Sequence, residues 1–386
     1  MTAPAPFALT REEEADWLAL RLVPGLGTRN AGRLVQRLRT PRAIFQASRS
    51  ELEGLGIPGA VAQSIASGCS YDEAITQQER LRAAQATLIP ISHPSYPELL
   101  REIYDPPVVL FARGRVELLQ SPMIGIVGTR RPTRYGLAVA EKMAADLALA
   151  SLTIASGMAR GVDTAAHRGA LSVEGNTIAV FGCGADVIYP SENRRLADDI
   201  AARGLILSEF PMGSTAFPQN FPIRNRIISG MSAGTLVVEG AQYSGSTITA
   251  RLALEQGREV FAIPGNITSP QSWGPNLLLK QGAHLVQDWN DVIEGLPSEA
   301  RRRVFTARGL RAEPEQTALP LENPGSELNR WILGQLRVDA NTSLDDLLEK
   351  GDHRSPSEIL AALFEMEMSG QVRQLPGKNF VKVWNS

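Results

Sequence analysis

Strand-like apolar runs alternate with segments of helical periodicity through the middle of this 386-residue chain. The runs lie at 122–127, 152–155, 176–181, 204–208, 234–238 and 258–262, and the helical segments at 136–149, 163–172, 192–202 and 245–256. Runs that are apolar throughout are typical of strands buried on both faces. The alternation therefore predicts right-handed crossovers and an α/β fold with a parallel sheet between two layers of helices.

Segments of different character flank this central part, which we place at residues 86–297. Residues 1–85 read as short helices joined by two glycine turns, Val23-Pro-Gly-Leu-Gly27 and Leu55-Gly-Ile-Pro-Gly59, and resemble a helix-hairpin-helix or SAM-like module. Such glycines either serve a helical packing module alone or bring backbone N–H groups close to a phosphate.

The last part of the chain predicts a linker followed by a small domain. Residues 298–324 are charged and then proline-rich, which is typical of an exposed linker. Residues 325–386 predict three helices, at 326–337, 343–350 and 356–369, and then two strand-like runs around a Pro-Gly turn. This order resembles a winged helix.

Composition excludes several classes of protein. The formal net charge is −2, so a site for a polyanion requires local segregation of basic residues. The two cysteines, Cys69 and Cys183, have no metal-like spacing and predict neither a disulfide framework nor a metal site. No signal peptide or membrane-spanning run is predicted, and we expect a cytoplasmic protein without a membrane contact.

Glycine-rich or polar segments follow nearly every predicted strand. They include Gly128-Thr-Arg-Arg131, Ser156-Gly-Met-Ala-Arg-Gly-Val-Asp163, Gly182-Cys-Gly-Ala-Asp186 and the stretch from Glu239 to Thr247. Because the carboxyl ends of parallel strands share one edge, we expect these segments to meet there and to bind a ligand.

Arginines are concentrated in the first of these segments, which carries Arg130, Arg131 and Arg134 between a strand and a helix. Guanidinium groups at a helix N-terminus suit a phosphate-bearing partner. We expect Gly128, Thr129, Ser156 and Gly157 to form the floor of the site, with backbone N–H groups directed into it, and Arg160 to reach its rim.

Neighbouring residues of the same loops have plainer expected roles. Asp163 is expected to cap the helix that begins there, and His167 is expected to be packed and hydrogen-bonded. The segment from Ser244 to Thr247 either caps the next helix or faces the ligand.

A second basic element interleaves aromatic rings with arginines in Phe217-Pro-Gln-Asn-Phe-Pro-Ile-Arg-Asn-Arg-Ile-Ile228. Aromatic rings beside cations suit single-stranded nucleic acid, whose bases stack and whose linkages are charged. One of Phe217 and Phe221 is expected to be buried. Asn225 either contacts the ligand or orients the start of the arginine-bearing helix.

Two signatures of common enzymes are absent from the sequence. There is no Walker A segment, and no Gly-x-Gly-x-x-Gly has a ribose-binding acid in the right place downstream. Glu239 is a possible general base without an evident partner. We therefore expect a protein that is not an enzyme and needs no cofactor, with a nucleotide-monophosphate enzyme or a nucleotide sensor as the alternative.

These segments together resemble the DNA-processing protein A (DprA, also Smf) family. The resemblance rests on Gly128-Thr-Arg130, on Ser156 to Asp163, on Phe221-Pro-Ile-Arg-Asn-Arg-Ile-Ile228, on Ser244-Gly-Ser246 and on Gly257 to Gly265. It implies an extended Rossmann-like domain that forms a homodimer, binds single-stranded DNA, protects incoming strands and loads the recombinase RecA in natural transformation. The residues expected to contact the strand are Gly128, Thr129, Arg130, Arg131, Arg134, Ser156, Gly157, Arg160, Gly161, Phe221, Arg224, Asn225 and Arg226.

Departures from the family pattern, and the charge of the winged-helix part, qualify these implications. Many members carry serine where this chain has Thr129, and the hydroxyl is retained. The second motif often carries lysine where this chain has Arg160, which keeps the charge and changes the geometry. The third helix of the winged-helix part carries Glu358, Glu365 and Glu367 and no basic residue, which disfavours DNA and favours protein contact or self-packing there. Lys378 and Lys382 leave a weak DNA role open.

Overall fold

The structure is a computed structural model that describes residues 9–242, 244–307, 327–336, 341–351, 355–368, 371–375 and 379–382. The chain divides into two compact units, Met1–Ala312 and Glu313–Ser386. Within the described residues, no helix has both the length and the apolar character that a membrane span requires.

Six helices form the start of the larger unit: α1 (Arg11–Leu22), α2 (Gly27–Leu38), α3 (Pro41–Gln46), α4 (Arg49–Gly54), α5 (Gly59–Ala66) and α6 (Tyr71–Ala83). Gly25 and Gly56 have φ angles of 73° and 80°, which glycine adopts without strain, and they turn the chain in the two predicted hairpins. Buried side chains of these helices share one core with Phe111, Phe181 and Ile206 of the sheet. The division predicted at residue 85 therefore stays a prediction from sequence.

The sheet has nine strands: β1 (Thr87–Pro90), β2 (Val109–Gly114), β3 (Met123–Val127), β4 (Thr153–Ser156), β5 (Thr177–Phe181), β6 (Leu205–Ser208), β7 (Gly234–Val237), β8 (Glu259–Ala262) and β9 (His284–Leu285). Their order is β1-β2-β6-β5-β4-β3-β7-β8-β9. All pairs from β6 to β9 are parallel, which confirms the predicted parallel sheet. The sequence analysis did not predict β1, β2 and β9, and β1 and β2 pair antiparallel at one edge.

Nine helices belong to the sheet region: α7 (Glu98–Arg101), α8 (Arg134–Leu149), α9 (Val162–Ser172), α10 (Arg194–Arg203), α11 (Asn220–Met231), α12 (Gly245–Glu255), α13 (Trp273–Lys280), α14 (Trp289–Gly295) and α15 (Ser298–Ala307). Both sheet faces are covered, as predicted. Met123 and Val127 pack in one core with α11 and α12, whereas Ile124 and Ile126 pack in another with α8 and α9. The alternation of strand residues between the two faces produces this division.

The predicted linker begins too early. Residues 298–307 form α15, whose Val304 is fully buried in the core beneath α8 and α14. Arg303 also donates to Glu98 over 2.7 Å. Charge in this segment therefore lies on the exposed face of a packed helix. Residues 308–324 of the predicted linker lie outside the described residues.

The smaller unit contains α16 (Glu327–Gln335), β10 (Thr342–Ser343), α17 (Leu344–Lys350), α18 (Pro356–Met368), β11 (Val372–Leu375) and β12 (Asn379–Lys382). Its strands form an antiparallel sheet in the order β10-β12-β11. Ile332, Leu347, Ile359 and Phe380 belong to its own core. Three helices and a terminal hairpin confirm the predicted winged helix; Lys378 lies outside the described residues.

Candidate functional site

A cleft of about 570 Å³ opens where the parallel strands of the sheet end. Its walls come from segments that follow different strands. They are Gly128–Arg131 after β3, Ala159 and Asp163 after β4, Tyr189 after β5, Pro218, Phe221, Pro222, Arg224 and Asn225 after β6, and Ala241, Ser244–Ser246, Ile248 and Thr249 after β7. This confirms that the loops converge at one edge, as expected for a wound parallel sheet. The cleft is therefore the candidate functional site.

Hydrogen bonds to Glu239 hold the loop after β3 in place. The Thr129 N–H donates to the Glu239 carbonyl over 2.7 Å. The Thr133 N–H and hydroxyl donate to the two oxygens of the Glu239 carboxylate, over 2.8 and 2.6 Å. Thr133 in turn caps α8 by accepting from the Gly136 N–H. The backbone of this loop is thus held while Arg130 and Arg131 stay exposed at the cleft.

Arg130 lies over an aromatic ring at the cleft wall. Its guanidinium carbon is 5.3 Å from the centroid of the Phe221 ring, within the range of a cation–π contact. Tyr189 approaches Phe221 with a centroid separation of 5.4 Å, an ordinary distance for an aromatic pair. The Arg224 guanidinium carbon is also 5.9 Å from the Phe221 centroid, so two charges and two rings meet in this part of the cleft.

The two phenylalanines of the basic segment differ in position. Phe221 is half-buried and lines the cleft, whereas Phe217 is 54% exposed and is not part of the cleft wall. Neither is a core residue, so the expectation that one of them is buried is wrong. The reason is that α11 begins at Asn220 and leaves Phe217 in the preceding loop.

Arg224 forms the floor of the cleft and is only 3% exposed. One terminal nitrogen donates to the Gly157 carbonyl over 2.5 Å and to the Val180 carbonyl. Burial lowers the pKa of Arg224 to about 10, so the guanidinium stays protonated at neutral pH. Its Nε has no hydrogen-bond partner. The site thus contains a desolvated positive charge, which strengthens its attraction for an anion.

Asp163 lies beneath the loop after β4 and does not occupy the predicted capping position. The N-cap of α9 is Gly161, and Asp163 is in the first turn of the helix. Its carboxylate accepts from the N–H groups of Gly157 and Ala159, over 3.1 and 3.3 Å. Burial raises the pKa of Asp163 to about 6, against the opposing effect of Arg224. It shapes the loop that presents Arg160.

Two of the backbone N–H groups expected in the cleft floor already have partners within the chain. The N–H groups of Thr129 and Gly157 bond to Glu239 and Asp163, and the Arg131 N–H donates to the Thr129 hydroxyl over 3.1 Å. The expectation that N–H groups of residues 129 and 157 point into the site is therefore wrong. Positive charge in this part of the site comes from side chains.

Arg160 lies at the rim, beside a small pocket that it shares with Arg130, Gly157, Tyr189 and Phe221. Its guanidinium forms a two-point contact with the carboxylate of Glu192. That hydrogen-bonded pairing lowers the pKa of Glu192 and raises that of Arg160. Arg160 is in the predicted place, but it has a partner within the chain.

Arg226 is placed differently from the prediction. Its side chain is 7% exposed and forms ion pairs with Glu209, over 2.5 Å, and with Asp105, over 3.2 Å. It does not line the cleft. The physical reason is helical periodicity: two residues along α11 turn the side chain by about 200° from that of Arg224.

Three other expected site residues do not line the cleft. Ser156 is fully buried and donates to the Ile126 carbonyl over 2.7 Å. Gly161 has a φ of 78°, and a Cβ there would lie 2.5 Å from the Thr129 carbonyl oxygen, so its role is the close packing of two loops. Arg134 is exposed at the first position of α8. Asn225 and Gly128 do line the cleft.

Glu239 and His167 have structural surroundings. Both oxygens of the Glu239 carboxylate accept hydrogen bonds from Thr133, and the residue is 4% exposed. His167 is fully buried and bonds Thr177 through Nδ1 over 2.7 Å, and burial lowers its pKa to about 3. The packed, hydrogen-bonded histidine is confirmed, and neither residue faces the cleft.

The segment that begins α12 faces the cleft. Ser244 is its N-cap but makes no side-chain capping bond, and its hydroxyl instead lies 2.7 Å from that of Ser246. Of the two alternatives for this segment, the structure therefore favours the one directed to the ligand. Gln271 also lines the cleft, with its side-chain oxygen buried and unpaired. No sequence signal identified Gln271, whereas Tyr189 stood in a polar loop after a predicted strand.

Sequence comparison identifies the family of two parts of the chain. Residues 87–297 match the family described as DNA recombination-mediator protein A, and residues 313–378 match the DprA winged helix domain. The DNA processing protein DprA of Bacillus subtilis (strain 168) is 47% identical over 210 residues, which are 54% of this chain and 71% of that protein. Protein Smf of Escherichia coli (strain K12) is 40% identical over 297 residues, 75% and 76% of the two chains.

Solved structures give the same relationship. DprA from Streptococcus pneumoniae superposes with a TM-score of 0.63 at 34% identity, over 73% of this chain and 98% of that one. DprA from Helicobacter pylori, whose structure describes its single-stranded DNA binding mode, superposes with a TM-score of 0.50 at 32% identity, over 54% and 94%. The chain therefore belongs to the DNA recombination-mediator protein A family, whose members carry the names DprA and Smf.

Proposed function

We propose that this chain binds single-stranded DNA in the cleft without chemically altering it. The observation that carries the proposal is the Arg130 guanidinium lying 5.3 Å above the Phe221 ring, beside the buried charge of Arg224. Phosphates pair with guanidinium groups, and bases stack on aromatic rings whatever their identity. The H. pylori relative with a described single-stranded DNA binding mode supports the same ligand.

A single strand suits the cleft better than a duplex does. Phe221 is half-buried within a concave wall, so only a base that is free of its complement can reach the ring. Bases of a duplex are stacked on each other and present only their edges. We assign the strand contacts to Gly128, Thr129, Arg130, Arg131, Gly157, Arg160, Phe221, Arg224 and Asn225.

An enzyme that acts on nucleoside monophosphates is the weaker reading. Its proposed base, Glu239, has both carboxylate oxygens occupied by Thr133 and lies outside the cleft lining. A base must reach a substrate proton. Release of a base from nucleoside monophosphates by the wild type, and not by Glu239→Ala, would restore the enzymatic reading.

We further propose that the bound strand is protected and passed to the recombinase RecA during natural transformation. Membership in a family of recombination mediators supports this role. A homodimer through the Rossmann-like domain would offer two clefts to one strand, and the second contact would then gain from a high effective concentration. These steps belong to the cytoplasm, where RecA acts.

Arg130→Ala tests the binding proposal. Loss of one charge-assisted phosphate contact should weaken binding to all sequences by roughly 10- to 100-fold. It should also reduce the slope of log affinity against log salt by about 0.7. The measurement is fluorescence anisotropy of a labelled oligonucleotide, single- or double-stranded, titrated with the full chain at several salt concentrations.

Arg168→Ala is the matched control, because Arg168 is an exposed arginine on α9 that does not line the cleft. It should leave both the affinity and the salt slope unchanged. Equal affinity and slope for Arg130→Ala and the wild type would contradict the proposal, as would a preference of the wild type for duplex over single strand.

A further inference from the structure

The arginine at the rim of the cleft already carries a partner that resembles its proposed ligand. Arg160 donates from Nη2 to one Glu192 oxygen over 2.7 Å and from Nε to the other. The two side chains are 62% and 51% exposed. A carboxylate bound at two points uses the same planar fork of donors that a phosphate uses.

Glu192 is held beside Arg160 by its neighbour in sequence. Residues Ser191–Asn193 form a single 3₁₀ turn, and Asn193 is 4% exposed. Its amide donates to the Met158 carbonyl over 3.0 Å and to the Thr164 hydroxyl over 2.9 Å. Met158 and Thr164 flank Arg160 in sequence, so the segments that carry the two charges are fastened to each other. The pair is thus built into the site.

The pair lies where a strand would pass. Arg160 shares a small pocket with Arg130, Tyr189 and Phe221, the residues of the proposed stacking point. A phosphate adjoining a base stacked on Phe221 would therefore meet Arg160 with Glu192 already bound to it. Glu192 also adds a negative charge that repels the phosphate.

We propose that Glu192 is an affinity-determining residue that occupies Arg160 in the free protein and is replaced there by a phosphate of the bound strand. This inference rests on the proposed function, because Glu192 competes with a phosphate of the strand for Arg160, which is one of the proposed strand contacts. An exposed ion pair of this kind changes an equilibrium by only about one- to fivefold. A charge-assisted contact to a phosphate is worth roughly tenfold or more. The exchange is therefore favourable, and its cost lowers the affinity for the strand.

Glu192→Gln tests the exchange, since it keeps the shape of the side chain and removes the charge. Binding of a labelled single-stranded oligonucleotide to the full chain should become about two- to fivefold tighter at low salt. The slope of log affinity against log salt should steepen by about 0.7, because Arg160 then neutralises a phosphate without releasing a carboxylate. The gain should be smaller when Glu192→Gln is combined with Arg160→Ala.

Glu141→Gln is the control for net charge. Glu141 is exposed on α8 and does not line the cleft, so this variant should bind as the wild type does. The urea midpoint of Glu192→Gln should also match the wild type, because the pair is exposed.

Two outcomes of the binding measurements distinguish a failure of this inference from a failure of the proposed function. If the wild type binds the strand and Glu192→Gln binds equally or more weakly, Glu192 only steadies Arg160 and the inference is overturned while the proposed function stands. If the wild type does not bind single strands at all, the proposed function fails and the inference fails with it.

Discussion

Helix α11 has two faces that each carry a buried arginine, and the comparison separates a charge that we propose for strand binding from one that is paired within the fold. Arg224 lies under the cleft, donates to two backbone carbonyls and keeps Nε unpaired. Arg226, on the other face, pairs with the carboxylates of Glu209 and Asp105. Arg224 has no direct ion pair and interacts through space with the Asp163 carboxylate, whereas Arg226 is paired directly with two carboxylates.

The partners of the two arginines explain this difference. Carbonyl oxygens orient a guanidinium but leave its net charge in place, so an anion still gains by approaching Arg224. A carboxylate cancels that charge. Glu209 also contacts the N-terminal helices, because Arg21 of α1 donates to its backbone carbonyl over 3.1 Å. The Arg226 face of α11 therefore joins the sheet to the helical module, and the Arg224 face is the one that we propose for the ligand.

Arg226→Ala should have the largest effect and tests the folding side of the comparison. It leaves the Glu209 carboxylate, which is 2% exposed, without its closest partner. The free energy of unfolding should fall by about 3–5 kcal/mol. Urea denaturation of the full chain measures this loss, and Arg226→Met combined with Glu209→Leu should recover most of it. Unchanged stability in Arg226→Ala would remove the distinction between the two faces.

Measuring the free energy of unfolding as a function of pH tests the protonation of Asp163, which lies on the same side of the molecule as the cleft. The pKa of Asp163 is raised by burial from 3.8 to about 6 in the folded chain. The folded state therefore binds the proton of the Asp163 carboxyl more tightly than the unfolded state does. The stability that this proton contributes is present below about pH 4 and is lost as the pH rises through 6. Relative to Asp163→Asn, the wild type should lose up to about 3 kcal/mol between pH 4 and pH 7. Parallel curves for the two proteins would show that Asp163 titrates normally.

Phe221→Leu tests the aromatic part of the binding face. Loss of one stacked base should weaken binding to a single strand by about 1–3 kcal/mol. Phe217→Leu is the matched control, because Phe217 is exposed and outside the cleft wall. Anisotropy titrations at one salt concentration measure both variants. An equal loss in the two would mean that the strand follows the loop before α11 and not the cleft.

Arg134→Ala should have the smallest effect and sharpens the boundary of the site. Arg134 belongs to the same arginine-rich loop as Arg130 but lies outside the cleft lining. Binding should change by less than about twofold, and the salt slope should stay the same. A loss as large as that in Arg130→Ala would extend the strand path along the start of α8.

Much of the fold could be predicted because buried parallel strands have a strong signal. The continuous apolar runs in β3 to β8 revealed each central strand, and the order of elements implied their shared edge. Strand β1 ends in Pro90, β2 follows Pro106-Pro107 and β9 has two residues, so these strands had no comparable pattern. The antiparallel pairing of β1 and β2 depends on contacts between distant residues that composition does not encode.

The site could be predicted as a set of loops but not as a set of roles. Arg224 and Arg226 stand in one motif, and only their partners distinguish them. Glu209 and Asp105 lie 17 and 121 residues before Arg226, and Glu192 lies 32 residues after Arg160. Helical and strand periodicity report nothing about pairing over such separations, and partner identity decided which charges remained available to a ligand.

Gly157 has a consequence for how this site can vary. A methyl group on its α-carbon would lie 2.2 Å from the Arg224 guanidinium, so the two cannot occupy their present positions together. Replacing this glycine by alanine would therefore displace the Arg224 guanidinium from its present position in the floor of the cleft. Two segments 67 residues apart thus share one small volume, and a larger side chain at position 157 requires the Arg224 side chain to move.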